Sequence, residues 1–397
     1  GLWMAIAQSV RLTQVAFWVG ILGLVLIFPN AKQLFYYPVL TDTFAFTTGL
    51  AMVWAHLTGR TVLVAVMAII GALGWQMAGI AGMALVTTTL MTARPGDTVR
   101  ADRLGNRLVL VTIGASALMG AFIGLPYLLG LSLEQMVFQR DFASDPFLRL
   151  LTNIPSLALA GCFVVYLLAS VIAARWQLNF NLRQVATVLV LLVAIVMIPK
   201  IIVSAISNPE IPPPGLTGYG EILKALLISR VREGLVLLPI VSHAVYYGPV
   251  FLLLLVLWRR VGQMTLELGT GFVFVMALFA VLSVFSESRF TFLLWPFVVV
   301  CKVISETSMP RLTQGLVALG AVGFSKMWLR MNQGPWPQPD RDALFEWPKS
   351  VYFSSLGPWM SVENYVTQGS IVAVLFALIY LTMRHGRAVH ADRFGEK

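Results

Sequence analysis

The chain has 397 residues, 58% of them hydrophobic and only 12% charged, with a mean hydropathy of +0.81. A soluble globular domain carries about 25% charged residues, so this balance excludes a soluble globular protein and points to lipid as the solvent. The formal net charge of +10 does not signal nucleic acid: no basic helix or aromatic-interleaved patch stands clear of the apolar runs.

In chain order, apolar runs cover 12–29, 44–58, 61–91, 108–131, 152–173, 184–206, 235–257, 264–284, 290–304, 312–329 and 369–384. Runs such as 108–131, 185–206 and 235–258 are long enough to cross a hydrocarbon core of about 30 Å. No extended soluble stretch interrupts them. The expected fold is therefore all-α, a polytopic transmembrane helix bundle of about eleven or twelve spans, with residues 1–397 forming one membrane domain. The first run has no small-residue cleavage site and reads as a span rather than a signal peptide. Cys162 and Cys301 lie inside apolar stretches, as small core residues do, and cannot found a disulfide framework or a cysteine-rich metal site.

The run 61–91 is too long for one straight helix, which would extend about 46 Å. Gly71, Gly74, Gly79 and Gly82 surround Trp75, and a hairpin of two short helices is expected there. Both termini are then cytoplasmic. Sixteen of the 28 Lys and Arg fall on the cytoplasmic side, eleven in outer loops, and Lys200 within a span. Short, almost purely basic inner connections such as Arg259-Arg260 fit the positive-inside rule. The expected location is a multi-pass position in a membrane, of the bacterial inner (plasma) type.

Four outer connections are longer than a turn needs: 30–43, 132–151, 207–234 and 330–368. Within them, 132–151 and 219–233 mix apolar and charged residues at helical spacing, predicting interfacial amphipathic helices on outer loops. No internal repeat is evident.

Ionisable residues inside or beside the membrane are functional candidates because they are costly there. Asp42 follows the first span, as either a cap of the next helix or a working carboxylate. Glu287 and Arg289 share a short outer turn, Ser286-Glu287-Ser288-Arg289. They either satisfy each other or present a guanidinium fork to a phosphate. Lys200 snorkels to the interface or meets a lipid phosphate. His243 is either a hydrogen-bonded core residue or a substrate contact. Arg230, Arg232, Arg140 and Asp141 lie in the long outer loops, as solvated helix faces or as substrate contacts. Glu267 and Lys302, near the inner face, read as structural. No second histidine accompanies His243 in an outer segment, so a histidine metal site is not expected. An acid-only divalent cation site using Asp42, Asp141 or Glu287 stays open. No phosphate-binding loop, dinucleotide fingerprint or hydrolase elbow is present, nor any ion-selectivity filter.

This arrangement of many spans, an acid after the first span and amphipathic segments on outer loops resembles the GT-C superfamily of membrane glycosyltransferases. Asp42 corresponds to that family's acidic position, and the Glu287–Phe290 turn to its charged turns near the carrier phosphate. The resemblance covers the architecture of most of the chain, and its motifs are short. The first outer loop has one acid rather than a pair, and the last outer region leads into a span instead of a soluble domain. The resemblance implies transfer of a sugar from a polyprenyl-phosphate carrier to an acceptor on the outer face. Asp42 would then be the general base, and Arg289, with Arg230, Arg232 or Lys200, would stabilise the departing phosphate. Two other classes stay open: a lipid or solute transporter or flippase, and a non-catalytic subunit bound to partner membrane subunits.

Overall fold

Lipid cannot hydrogen-bond a free N–H or C=O, so an apolar run inside a membrane must close its backbone bonds as a helix. The computed structural model describes residues 1–26, 42–94, 98–130, 146–178, 181–206, 236–284, 295–307, 309–325, 360 and 362–394, and these are almost entirely helical. The first elements are α1 (Leu2–Ser9), α2 (Gln14–Val25), α3 (Asp42–Leu57), α4 (Thr61–Gly74) and α5 (Gln76–Thr88). A short strand β1 (Met91–Arg94) leads to the long helices α6 (Thr98–Gly130) and α7 (Pro146–Ala173). Strand β2 (Arg175–Leu178) and α8 (Leu182–Ile206) follow. The second half comprises α9 (Leu238–Tyr247), α10 (Pro249–Val256), α11 (Trp258–Glu267) and α12 (Thr270–Leu282). It ends with α13 (Trp295–Glu306), α14 (Arg311–Ser325) and α15 (Val362–Phe394).

The all-α membrane bundle expected from the apolar runs is observed. Ala101–Ala121 in α6, Asn153–Ala173 in α7, all of α8 and Tyr365–Gly386 in α15 are each long and apolar enough to cross a membrane. Helices α10 and α11 pass together as a pair bent by 88°. Among the described residues, the runs at 12–29, 44–58, 61–91 and 264–284 are carried by the shorter apolar helices α2, α3, α4, α5 and α12.

The run 61–91 forms the hairpin that its glycines suggest. Trp75 is extended between the arms (φ −153°, ψ 106°). A Cβ at Gly71 would lie 2.8 Å from the Ala78 Cβ, and one at Gly82 would collide with Ala68. These pairings run antiparallel, so both outer ends of the hairpin return to the same end of the bundle. There β1 pairs antiparallel with β2, from Met91↔Leu178 to Arg94↔Arg175. The Thr270 hydroxyl donates to the Met91 carbonyl (3.1 Å), tying the start of α12 to this ribbon.

Helix α10 is apolar on every side, and α9 is apolar but for Ser242, His243 and the tyrosine hydroxyls; both lie buried at the centre, as largely apolar helices do. The run expected as one span over 235–257 is divided between them at Gly248 (φ 68°, ψ −159°). Gly269 (φ 122°, ψ 158°) separates α11 from α12 in the same way. Both conformations belong to a region essentially reserved for glycine. Helix α11 buries Val261, Met264 and Leu266 and exposes Arg259 and Arg260. It lies across the ribbon end, packed on α7, α12 and α13, in the manner of an interfacial helix.

On the outside, α8 packs one side against α4 and α5 and turns Leu189 (58% exposed), Val190 (67%) and Val193 (61%) outward. That is a surface for hydrocarbon. The expected outer loops fall mostly outside the described residues. Their described parts belong to helices: Asp42 and Thr43 to α3, 146–151 to α7 and 362–368 to α15. Of the interfacial helices predicted over 132–151 and 219–233, residues 132–145 and all of 219–233 lie outside the described residues, and 146–151 form the start of α7.

Candidate functional site

Small residues recur one helical turn apart on α7 (Ser156, Ala160) and on α15 (Gly369, Ala373), so each pair lies on one face of its helix. Where these faces meet α6, α9, α10 and α12, the bundle leaves a cavity of about 850 Å³. This is large for a small-molecule site, which occupies about 300–1,000 Å³. Its walls are hydrocarbon, including Phe163, Val241, Leu255, Phe279, Val372 and Phe376. Trp258 bounds it towards the ribbon end, while Leu237, Ser283 and Tyr365 lie towards the far end.

Few polar groups reach the wall, and most are committed elsewhere. Ser283 Oγ donates to the Ala280 carbonyl (2.7 Å) and Ser370 Oγ to the Val366 carbonyl (2.8 Å). The Tyr365 hydroxyl donates to the Val236 carbonyl, which holds the left-handed Leu237 (φ 61°) against α15. Ser156 Oγ is buried without a hydrogen-bond partner among the described residues. A hydrocarbon chain is the chemistry that such a wall accepts.

His243 lies one layer behind this wall. It is fully buried, with Nε2 2.8 Å from the Ser283 carbonyl. A carbonyl only accepts, so Nε2 carries the proton. The ring stands edge-on to Phe251, another wall residue, at 5.5 Å between centroids. Lys200 is exposed on α8 next to Pro199, and α8 contributes no residue to the cavity wall. Asp42 is the first residue of α3. Glu287, Arg289, Arg230, Arg232, Arg140 and Asp141 lie outside the described residues. Of the sequence candidates, only His243 is therefore seen beside the cavity.

A polar cluster missed by the sequence reading sits on the ribbon side of Trp258. Tyr166 meets the Trp258 ring edge-on at 5.1 Å, and its hydroxyl donates to Asp102 Oδ1 at 2.5 Å. Gln263 Nε2 reaches both Asp102 oxygens, at 3.1 and 3.3 Å. Gly105 and Gly262 make room for Tyr166, since a Cβ at either would lie within 2.7–2.8 Å of a ring carbon. The cluster joins α6, α7 and α11. Nearby, Arg260 donates to Thr307 Oγ1 (2.9 Å) and Lys302 pairs with Glu306 (3.1 Å), a local role that fits the structural reading of Lys302. Among the described residues no group of His, Cys, Asp or Glu could hold a metal ion. The open acid-only set of Asp42, Asp141 and Glu287 falls outside that search except for the position of Asp42 in α3.

Comparison with protein-family models, with characterised proteins and with solved structures finds no match to this chain.

Proposed function

We propose that the cavity holds the hydrocarbon chain of a lipid-linked substrate, and that the protein is a membrane glycosyltransferase using a polyprenyl-phosphate sugar. The observation that carries this reading is the cavity, large and walled by hydrocarbon in a bundle of apolar helices. Glu287 and Arg289 follow the wall residue Ser283 by four and six residues, and Arg232 precedes Leu237 by five. In this reading a carboxylate, Asp42 or Glu287, removes the proton from the attacking acceptor hydroxyl. Arg289, with Arg230 or Arg232, stabilises the charge that grows on the departing carrier phosphate. Assay of glycan transfer by Asp42→Asn and Arg289→Ala tests it. Loss of activity with normal expression is expected; full activity in both variants refutes the assignment and favours a non-catalytic subunit.

One observation supports a second reading, a lipid transporter or flippase. The central helices are broken at Gly248 and bent by 88° at Leu257, and transporters place broken helices at their substrate sites. Movement of unaltered lipid-linked sugar across vesicles holding the purified protein would favour that reading over transfer chemistry.

A further inference from the structure

The ribbon end of the bundle gathers a second set of charged residues, independent of the cavity and of the transferase reading. The antiparallel register sets Arg94 directly opposite Arg175, and like charges directly opposed in a ribbon are destabilising unless an anion offsets them. The two connections joined by the ribbon bring further arginines: Arg100, Arg103 and Arg107 after β1, and Arg183 after β2. Against these six the same stretches hold two acids, Asp97 and Asp102. Asp102 is already held by Tyr166 and Gln263. Arg103, Arg107 and Arg183 are exposed, and no carboxylate among the described residues pairs with them. The first turns of α6 and α8 add the positive ends of two helix dipoles at the same level.

Depth in the membrane identifies the occupant. Leu110 (69% exposed) follows Arg107 by three residues, and Leu182 (82% exposed) adjoins Arg183. The arginines thus stand where the hydrocarbon-facing belts of α6 and α8 begin, which is headgroup depth. We propose that this end of the bundle binds anionic phospholipid, with the headgroup phosphate between the Arg94 and Arg175 positions and the acyl chains along α6 and α8. Arginine suits the task because its planar fork donates two hydrogen bonds to one phosphate.

The test is titration of the purified full-length protein in neutral detergent with phosphatidylglycerol, read as bound lipid by native mass spectrometry. Phosphatidylglycerol should bind in preference to phosphatidylcholine, and Arg94→Gln/Arg175→Gln should weaken it about thirtyfold. Arg311→Gln/Arg384→Gln, which removes two exposed arginines outside the ribbon and its connections, should leave it unchanged. If the ribbon variant loses its helicity, Arg103→Gln/Arg107→Gln takes its place, with weakened binding again expected. Equal affinity of wild type and the ribbon-end variant would overturn the proposal, as would equal binding of the neutral lipid. Competition by millimolar inorganic phosphate would also overturn it, by identifying a site for the free ion.

Discussion

The Tyr166 hydroxyl donates to Asp102 at 2.5 Å across 64 residues of sequence, joining α7 to the first turns of α6 directly below the cavity floor. Gln263 completes the contact from α11, so one carboxylate fixes three helices. Removing one donor leaves a partly buried acceptor under-satisfied. Tyr166→Phe should lower stability by about 1–2 kcal/mol, seen as a lower unfolding temperature in detergent. Gln263→Leu should act non-additively with it in a double-mutant cycle, because the two share Asp102. Strict additivity would show that the cluster does not act as a unit.

Gly248 and Gly269 set the two interruptions that frame the central helices. No atom lies within 4 Å of a Cβ built at Gly248, so Gly248→Ala meets only the backbone penalty of its φ and ψ, about 1–3 kcal/mol. Gly315, inside α14, also has open space around it and has an ordinary helical backbone. There, Ala should stabilise by up to about 1 kcal/mol. Opposite shifts of the unfolding temperature in these two Gly→Ala variants would check the backbone assignment of both sites.

His243 donates to the Ser283 carbonyl from a fully buried position. His243→Leu keeps the bulk near Phe251 but leaves that carbonyl without its donor, at a cost of about 1–3 kcal/mol. The loss should appear in thermal unfolding, and the proposed glycan transfer should fall only as folded protein falls. A loss of transfer at full stability would instead make His243 a substrate contact.

Much of this was legible in the sequence because membranes leave helices few alternatives. The apolar runs located nearly all the described helices, and the glycines around Trp75 marked a hairpin that one straight helix could not replace. The break at Gly248 had a local signal too, in the pair Gly248-Pro249, but continuous apolarity on both sides masked it. The Asp102–Tyr166–Gln263 cluster had none. Asp102 stands among arginines like a solvated charge, and its partners lie 64 and 161 residues away. The cavity was equally hidden, since its small residues are ordinary on each helix alone and matter only where α7 and α15 face each other. The ribbon had no signal of its own, because Met91 closes an apolar run and the pairing partner of β1 lies across two long helices.

The proposed function rests on the cavity, and it should be possible to close it without harming the fold. Ala160→Phe places a ring into existing space, so unfolding temperature should hold while lipid copurifying with the protein falls. A steep loss of stability would indicate that the space is smaller than about 850 Å³ and could not hold a chain.

The most direct measurement is photo-crosslinking with a polyprenyl phosphate carrying a diazirine in its chain, followed by mapping of the labelled residues. Labels on cavity residues such as Phe163, Leu255 and Phe376, lost in Ala160→Phe, are the expected result. Labels confined to the exposed belt of α8, at Val190 and Val193, and unchanged in Ala160→Phe would contradict it.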